Sequence, residues 1–192
     1  MNLPNKLTVL RVILVPVFML FLCVPMGLSD ILVRVIAAVL FALTSLTDML
    51  DGKIARKYNM VTDFGKLMDP LADKFLVFGA MLGILVYCAD LRPIFVWAAA
   101  IVMLRELAVT SLRLLAASQS GAVIAAAWLG KVKTVTQVVC ILCVILEPVI
   151  LPFPLFTQYH LLSYVTIAAM IVMTIWSGVE YFTAYGKNIN MK

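Results

Sequence analysis

The sequence has little charge for its length, and this scarcity excludes an ordinary soluble domain. Only 13% of the 192 residues are charged, whereas 64% are hydrophobic. A soluble domain of this composition would have too little polar surface to present to water. Apolar runs recur near the length of about 20 residues that crosses a bilayer. The composition therefore predicts an integral membrane protein, and the length predicts a single domain over residues 1–192.

Histidine and cysteine are also scarce, which argues against a metal site built from nitrogen and sulfur ligands. The one histidine, His160, borders a Pro-rich loop, and we expect it at the membrane interface. The four cysteines lie in apolar runs without a second ligand pair, so we expect them to be small buried hydrophobic residues. They are Cys23, Cys88, Cys140 and Cys143.

Six transmembrane helices are predicted, which makes the fold class all-α. Pro, Gly, Asn and Asp lie between the apolar segments and end them. The predicted helices cover residues 7–24, 30–57, 65–88, 93–118, 130–150 and 160–184.

The basic residues indicate how the helices are oriented. They gather at the chain start and at every second connection, whereas the other connections are nearly balanced. The positive-inside rule then predicts that both termini are cytoplasmic. A net charge of +5 suits contact with anionic lipid head groups, so no nucleic-acid partner is expected.

Half of the ten acidic residues lie between positions 47 and 74. Asp48 and Asp51 are three residues apart, and Asp69 and Asp73 are four apart, so each pair shares a helix face. The pairs lie on consecutive antiparallel helices, about 6–13 Å from the same turn. We therefore expect the two pairs to face one another near the cytoplasmic boundary. Asp63 lies in the turn, and we expect it to cap the third helix.

Four carboxylates that lie so close together would repel one another unless cations separated them. Oxygen ligands alone favour hard ions, so the pattern predicts Mg²⁺ or Mn²⁺, and four carboxylates suffice for two ions that clamp a phosphate. Gly52 and Ala55 leave a gap for a ligand, and Arg56 can bind a phosphate. The alternatives are exposed helix-end acids, a proton relay or a metal-ion transporter. Neither the second nor the third helix, however, has an acid between these pairs and its far end that would continue a relay.

These residues form the pattern Asp48-x₂-Asp51-Gly52-x₂-Ala55-Arg56-x₈-Gly65-x₃-Asp69-x₃-Asp73. The pattern resembles the signature of the CDP-alcohol phosphatidyltransferase family at all eight positions. The resemblance implies a metal-dependent membrane enzyme in which an alcohol displaces CMP from a CDP-linked lipid. It also implies roles for the residues: Asp48, Asp51, Asp69 and Asp73 as metal ligands, Asp73 also as the catalytic general base, and Gly52, Ala55, Arg56 and Gly65 along the CDP-lipid.

Two further segments resemble the phosphatidylglycerophosphate synthases of bacteria within this family: the opening NLPNKLTVLRVILVPVF and the GKVKT at 130–134. This resemblance implies CDP-diacylglycerol as donor and glycerol 3-phosphate as acceptor, in a bacterial cytoplasmic membrane, with the active site facing the cytoplasm. Serine, inositol phosphate or phosphatidylglycerol remain alternative acceptors. Homodimers are also implied, and Gly79, Ala80 and Gly83 would allow close helix contact.

An anionic acceptor requires fixed cations. Arg105 lies deep in the fourth helix, where an arginine needs a partner. Its neighbour Glu106 is only one residue away, so we expect that side chain to point elsewhere. We predict a cationic pocket for the acceptor phosphate, and the alternative is that its lysines only set the orientation and Arg105 pairs structurally. The predicted members are Arg105, Arg113, Lys131 and Lys133, with Thr8 and Arg11 nearby.

Overall fold

The computed structural model describes residues 2–57, 62–120 and 128–185, without the side chains of residues 3–4, 49–57, 63, 66, 116–120, 154–155 and 185. Within these ranges the chain forms helices and turns but no strand. The helices are α1 (Leu3–Cys23), α2 (Asp30–Lys57), α3 (Asp63–Tyr87), α4 (Arg92–Ser120), α5 (Trp128–Ile150), α6 (Pro154–Thr157) and α7 (Leu161–Tyr185).

Six of these helices, all except the four-residue α6, are long and apolar enough to cross a membrane. The predicted all-α fold and its six spans are therefore confirmed, and each predicted bound lies within four residues of the observed one. The short α6 was not predicted and lies in the Pro-rich loop. We call the end of the bundle where α1 begins and α2 meets α3 the aspartate end, and the other end the opposite end.

Glycines on α3 allow α1 to pack closely against it. A Cβ atom on Gly79 would lie 2.6 Å from Val15 Cγ1, and one on Gly83 would lie 2.9 Å from Leu22 Cδ1. Both distances are shorter than real Cβ contacts, so a larger residue at either glycine would force the Val15 or Leu22 side chain to shift where the helices touch. The close helix contact predicted at these glycines is thus present, but between helices of the same chain. The predicted homodimer stays a prediction.

The spans form two groups of three, which meet in an apolar core. Helix α1 packs on α2 and α3, and α7 packs on α4 and α5. Buried side chains from both groups fill the space between them, and large apolar side chains such as Trp97 and Leu104 point outward. An apolar outer surface is what a lipid-embedded bundle needs. The first group carries the signature aspartates, and the second carries Arg105, Arg113 and Lys133.

The start of α3 differs from the prediction in one detail. Thr62, not Asp63, is the N-cap residue, and its hydroxyl accepts a hydrogen bond from the Gly65 backbone N–H at 3.1 Å. The prediction that Asp63 caps this helix is therefore wrong. Asp63 is instead the first residue of the helix itself, one position beyond the cap.

Candidate active site

Three of the four aspartates predicted as metal ligands lie against α1 at the aspartate end. Arg11 forms ion pairs with Asp48 on α2 and with Asp73 on α3, the latter at 2.6 Å. The Thr8 hydroxyl donates a hydrogen bond to Asp69 Oδ1 at 2.7 Å. One helix therefore holds carboxylates from both of its neighbours. We call Asp48, Asp69 and Asp73 the carboxylate cluster.

The local sequence explains this arrangement. Thr8 and Arg11 are three residues apart on α1, and Asp69 and Asp73 are four apart on α3, so each pair lies on one helix face. The two helices run parallel, since both begin at the aspartate end. The side chain of Arg11 is 0% exposed, and a guanidinium buried so completely requires carboxylate partners.

Gly65 lies beside this cluster at the start of α3. A Cβ atom at this position would lie 3.3 Å from Asn5 Oδ1, 3.3 Å from Thr62 Oγ1 and 3.6 Å from Asp69 Oδ2. The Thr62 hydroxyl also donates to Asn5 Oδ1 at 3.0 Å, which ties the start of α3 to the start of α1. A larger residue at Gly65 would therefore disturb the surroundings of Asp69. This contact is compatible with the predicted role of Gly65 in shaping the CDP-lipid pocket.

The remaining residues of the signature lie near the end of α2. The backbone of α2 is helical through Lys57, so the three-residue spacing of Asp48 and Asp51 lies on a helix as predicted. The side chains of Asp51, Gly52, Ala55 and Arg56 lie outside the described residues. Their predicted roles as metal ligand and as CDP-lipid contacts therefore stay predictions.

The donor set of the carboxylate cluster fits Mg²⁺ or Mn²⁺. It offers only oxygen ligands, which hard cations prefer. The side chains of Asp48 and Asp73 are 34% and 51% exposed, so a ligand can reach them. Among the described residues, however, no three acidic, histidine or cysteine side chains converge tightly enough to form a ready metal site. Arg11 lies between Asp48 and Asp73, and the metal role stays a prediction.

A second polar group lies between α4 and α5. Glu106 Oε1 accepts a hydrogen bond from Arg105 Nη1 at 3.0 Å and one from Lys133 Nζ at 2.5 Å. The Arg105 and Lys133 side chains are only 10% and 7% exposed. The expectation that Glu106 points away from Arg105 is therefore wrong. Both side chains are long, so their tips can meet although the two residues are neighbours in sequence, and the same Glu106 oxygen also contacts Lys133 on α5.

Tyr181 of α7 connects this group to Arg113. Arg113 Nη2 donates a hydrogen bond to the Tyr181 hydroxyl, and its guanidinium also lies over the ring, 5.0 Å from the centroid. The Arg105 guanidinium lies 5.5 Å from the same centroid. Cations stacked on an aromatic face are stabilised electrostatically, and more so when water is excluded. We call Arg105, Arg113 and Lys133 the cation cluster.

Three of the six residues predicted for the acceptor phosphate are thus brought together. Lys131 is exposed on α5, and Thr8 and Arg11 contact the carboxylate cluster. Helix α3, which carries Asp69 and Asp73, packs on α4 and α5, so both clusters lie toward the aspartate end of the bundle. An acceptor whose phosphate is bound by the cations could therefore present a hydroxyl toward the carboxylates.

Sequence reasoning missed the partners of the cation cluster. Glu106 is an acid inside a predicted span, and an intramembrane acid is a signal of function or of a buried pairing. Tyr181 gave no comparable signal, because an aromatic residue near a helix end is common in membrane proteins. Gln137, one turn after Lys133, is buried, and its amide nitrogen has no hydrogen-bond partner among the described residues.

Comparisons with known proteins identify the family of this chain. The family model for CDP-alcohol phosphatidyltransferases matches residues 1–176. A Bacillus subtilis protein named CDP-diacylglycerol–glycerol-3-phosphate 3-phosphatidyltransferase is 41% identical, over 95% of this chain and 94% of its own. An Escherichia coli K12 protein of that name is 34% identical over the same shares. A Mycobacterium tuberculosis protein named probable phosphatidylglycerophosphate synthase is 41% identical over 94% of this chain and 79% of its own. The chain belongs to the CDP-alcohol phosphatidyltransferase family.

Proposed function

We propose that this membrane enzyme transfers the phosphatidyl group of CDP-diacylglycerol to glycerol 3-phosphate, forming phosphatidylglycerophosphate and releasing CMP. The names of the Bacillus and Escherichia relatives state this donor, acceptor and group. The observation that carries the acceptor assignment is the cation cluster, which lies at the same end of the bundle as the partly exposed carboxylate cluster. A neutral alcohol would not need three cations that are buried or partly buried, whereas an acceptor with a phosphate does.

The carboxylate cluster would bind the metal ions of the reaction. Asp48, Asp69 and Asp73, together with Asp51, would hold Mg²⁺ or Mn²⁺, and the family signature favours two ions. When bound, these ions would supply positive charge that offsets the charge on the pyrophosphate and on the departing CMP. Thr8 and Arg11 orient three of these carboxylates from α1.

The protein's own residues then position the acceptor. The cation cluster would bind the phosphate of glycerol 3-phosphate, which turns the primary hydroxyl toward α3. Asp73 would accept the proton of that hydroxyl as it attacks the phosphorus, and the bond from phosphorus to the CMP oxygen breaks. Asp73 is half exposed, so an acceptor that arrives from water can reach it. Gly52, Ala55, Arg56 and Gly65 would lie along the CDP-lipid.

The distribution of basic residues supports a location for the aspartate end of the bundle. Basic residues at the aspartate end favour a cytoplasmic position for this end, so a water-soluble acceptor would enter from the cytoplasm. The bacterial relatives favour the cytoplasmic membrane. The homodimer implied by the family belongs to this proposal as well, and size analysis of the purified protein in detergent or nanodiscs would test it.

The purified full-length chain in detergent tests the reaction. We expect CMP release from CDP-diacylglycerol that requires glycerol 3-phosphate, stops with EDTA and returns with Mg²⁺ or Mn²⁺. A panel with serine, inositol phosphate and phosphatidylglycerol identifies the acceptor. Release with another alcohol but not with glycerol 3-phosphate would overturn the acceptor assignment. Metal flux into liposomes without any CMP release would support a transporter instead.

A further inference from the structure

The guanidinium of Arg105 is held at one side only. Its Nη1 donates to Glu106 Oε1, whereas its Nε and Nη2 are buried and have no hydrogen-bond partner among the described residues. Nε and Nη2 together form the side edge of a guanidinium, which matches two oxygens of a phosphate or carboxylate. Unpartnered buried donors are costly, so a paired edge of this kind indicates a missing anion.

Glu106 fixes where this edge points. The same Oε1 atom accepts from Arg105 on α4 and from Lys133 on α5, so the two cationic nitrogens are held on one oxygen atom. Gly178 on α7 contributes by its size, because a Cβ atom there would lie 3.3 Å from Arg105 Cγ. The carbon chain of Arg105 thus packs against α7 while Glu106 holds the tip. A neutral residue at 106 would release both cations.

We propose that Glu106 is a positioning residue that aims the Nε–Nη2 edge of Arg105, together with the Lys133 ammonium, at the phosphate of the acceptor. This inference deepens the proposed function and rests on it. Glu106 does not touch the substrate. It holds two buried cations from different helices at the spacing that one phosphate requires. Its negative charge also offsets the repulsion between the two cations.

The test measures steady-state kinetics of CMP release by the full-length chain. For Glu106→Gln we expect the KM for glycerol 3-phosphate to rise about tenfold to a hundredfold, the range that one or two charge-assisted hydrogen bonds supply. The KM for CDP-diacylglycerol should stay within about twofold, because the carboxylate cluster does not depend on Glu106. Glu147→Gln removes the same charge from a buried acid at the opposite end of the bundle and should leave the KM for glycerol 3-phosphate unchanged.

Inorganic phosphate separates positioning from a general structural role. As a competitive inhibitor it probes the phosphate contact without the hydroxyl, and we expect its inhibition constant to rise by the same factor as the KM in Glu106→Gln. Glu106→Asp keeps the charge and shortens the side chain by one carbon, so it should fold and show the same direction of change. If Glu106→Gln does not fold, the KM of Glu106→Asp for glycerol 3-phosphate tests the proposal in its place.

The possible results are distinct. An unchanged KM for glycerol 3-phosphate in a folded Glu106→Gln or Glu106→Asp protein would overturn the positioning role while leaving the reaction intact. A rise in the KM for CDP-diacylglycerol as large as that for the acceptor would also overturn it, because the site as a whole would then have changed. If the unaltered protein does not use glycerol 3-phosphate, the proposed function itself fails.

Discussion

Two polar groups of similar composition lie at the two ends of the bundle. At the opposite end, Arg34 donates to Asp30 at 2.7 Å and to the Ile145 carbonyl at 3.2 Å, and lies 5.0 Å from the centroid of the Tyr87 ring. The Tyr87 hydroxyl donates to Asp30 at 2.5 Å. The cation cluster at the aspartate end likewise combines arginine, an acid and a tyrosine. The residue types are nearly the same.

The difference lies in how charges and donors are matched. At the opposite end one arginine meets one aspartate and a backbone carbonyl. At the aspartate end two cations, Arg105 and Lys133, share one carboxylate oxygen of Glu106, and Arg113 contacts Tyr181 instead of an acid. Buried nitrogens of Arg105 and Arg113 have no hydrogen-bond partner among the described residues. A balanced group stabilises the fold, whereas an excess of buried cations favours an anionic ligand. The comparison therefore separates a structural group from a binding site.

The largest expected effect is on the carboxylate cluster. Asp69→Asn keeps the size of the side chain and an acceptor for Thr8, but removes the charge that a metal ion requires. We expect CMP release to fall about a thousandfold or more, because a metal ion supplies several kcal/mol of transition-state stabilisation. Asp30→Asn makes the same change at the opposite end and should keep nearly full activity. A folded Asp69→Asn protein with more than about a tenth of the original rate would contradict the metal role.

Replacing arginine by lysine at each end tests the comparison directly. Lysine keeps the charge but lacks the paired donors of a guanidinium. Arg105→Lys should raise the KM for glycerol 3-phosphate about tenfold to a hundredfold. Arg34→Lys should leave this KM unchanged and lower only the thermal stability. Equal changes of the KM in both variants would mean that the two groups do not differ in function.

A stability effect without a kinetic effect is expected at the opposite end. Glu147 is buried and accepts hydrogen bonds from the Leu162 N–H at 2.8 Å, from the Ser163 N–H at 2.9 Å and from the Ser163 hydroxyl. These bonds cap the start of α7. Glu147→Gln should therefore lower the free energy of unfolding by about 1–3 kcal/mol. Thermal unfolding in detergent measures it, and a changed KM for glycerol 3-phosphate in the folded fraction would be contrary to expectation.

The smallest effect is expected at Lys131. It is exposed, and water and salt weaken the attraction between an exposed charge and an anion. Lys131→Gln should change the KM for glycerol 3-phosphate by less than about twofold. Kinetics at two salt concentrations provide the control, since any remaining contribution should shrink as salt rises. A tenfold change at high salt would place Lys131 in the binding site itself.

The sequence predicted the spans and the aspartate end because both depend on local spacing. Apolar run length determines a transmembrane helix, and intervals of three and four residues put Asp48 or Asp69 on a known helix face. It did not predict that Thr8 and Arg11 contact these aspartates. That contact depends on the parallel packing of α1 on α3, which brings together residues 61 and 62 positions apart.

The contacts within the cation cluster were also not predicted from local spacing. The depth of Arg105 indicated that it needs a partner, but adjacent residues were expected to diverge. Glu106 meets Arg105 because its carboxylate attracts two cations, Arg105 on its own helix and Lys133 on α5, to one oxygen atom. Spacing rules describe pairs on one helix, whereas this contact is set by three side chains on two helices. Sequence spacing alone therefore cannot predict a site of this kind.

The most direct test follows carbon-labelled glycerol 3-phosphate into lipid. The purified full-length chain is given CDP-diacylglycerol, labelled acceptor and Mg²⁺, and CMP and lipid-bound label are measured together. We predict that label enters the lipid in equal amount to the CMP released, and that Arg105→Lys needs far more acceptor to reach the same rate. CMP release without label in the lipid would contradict the proposed transfer.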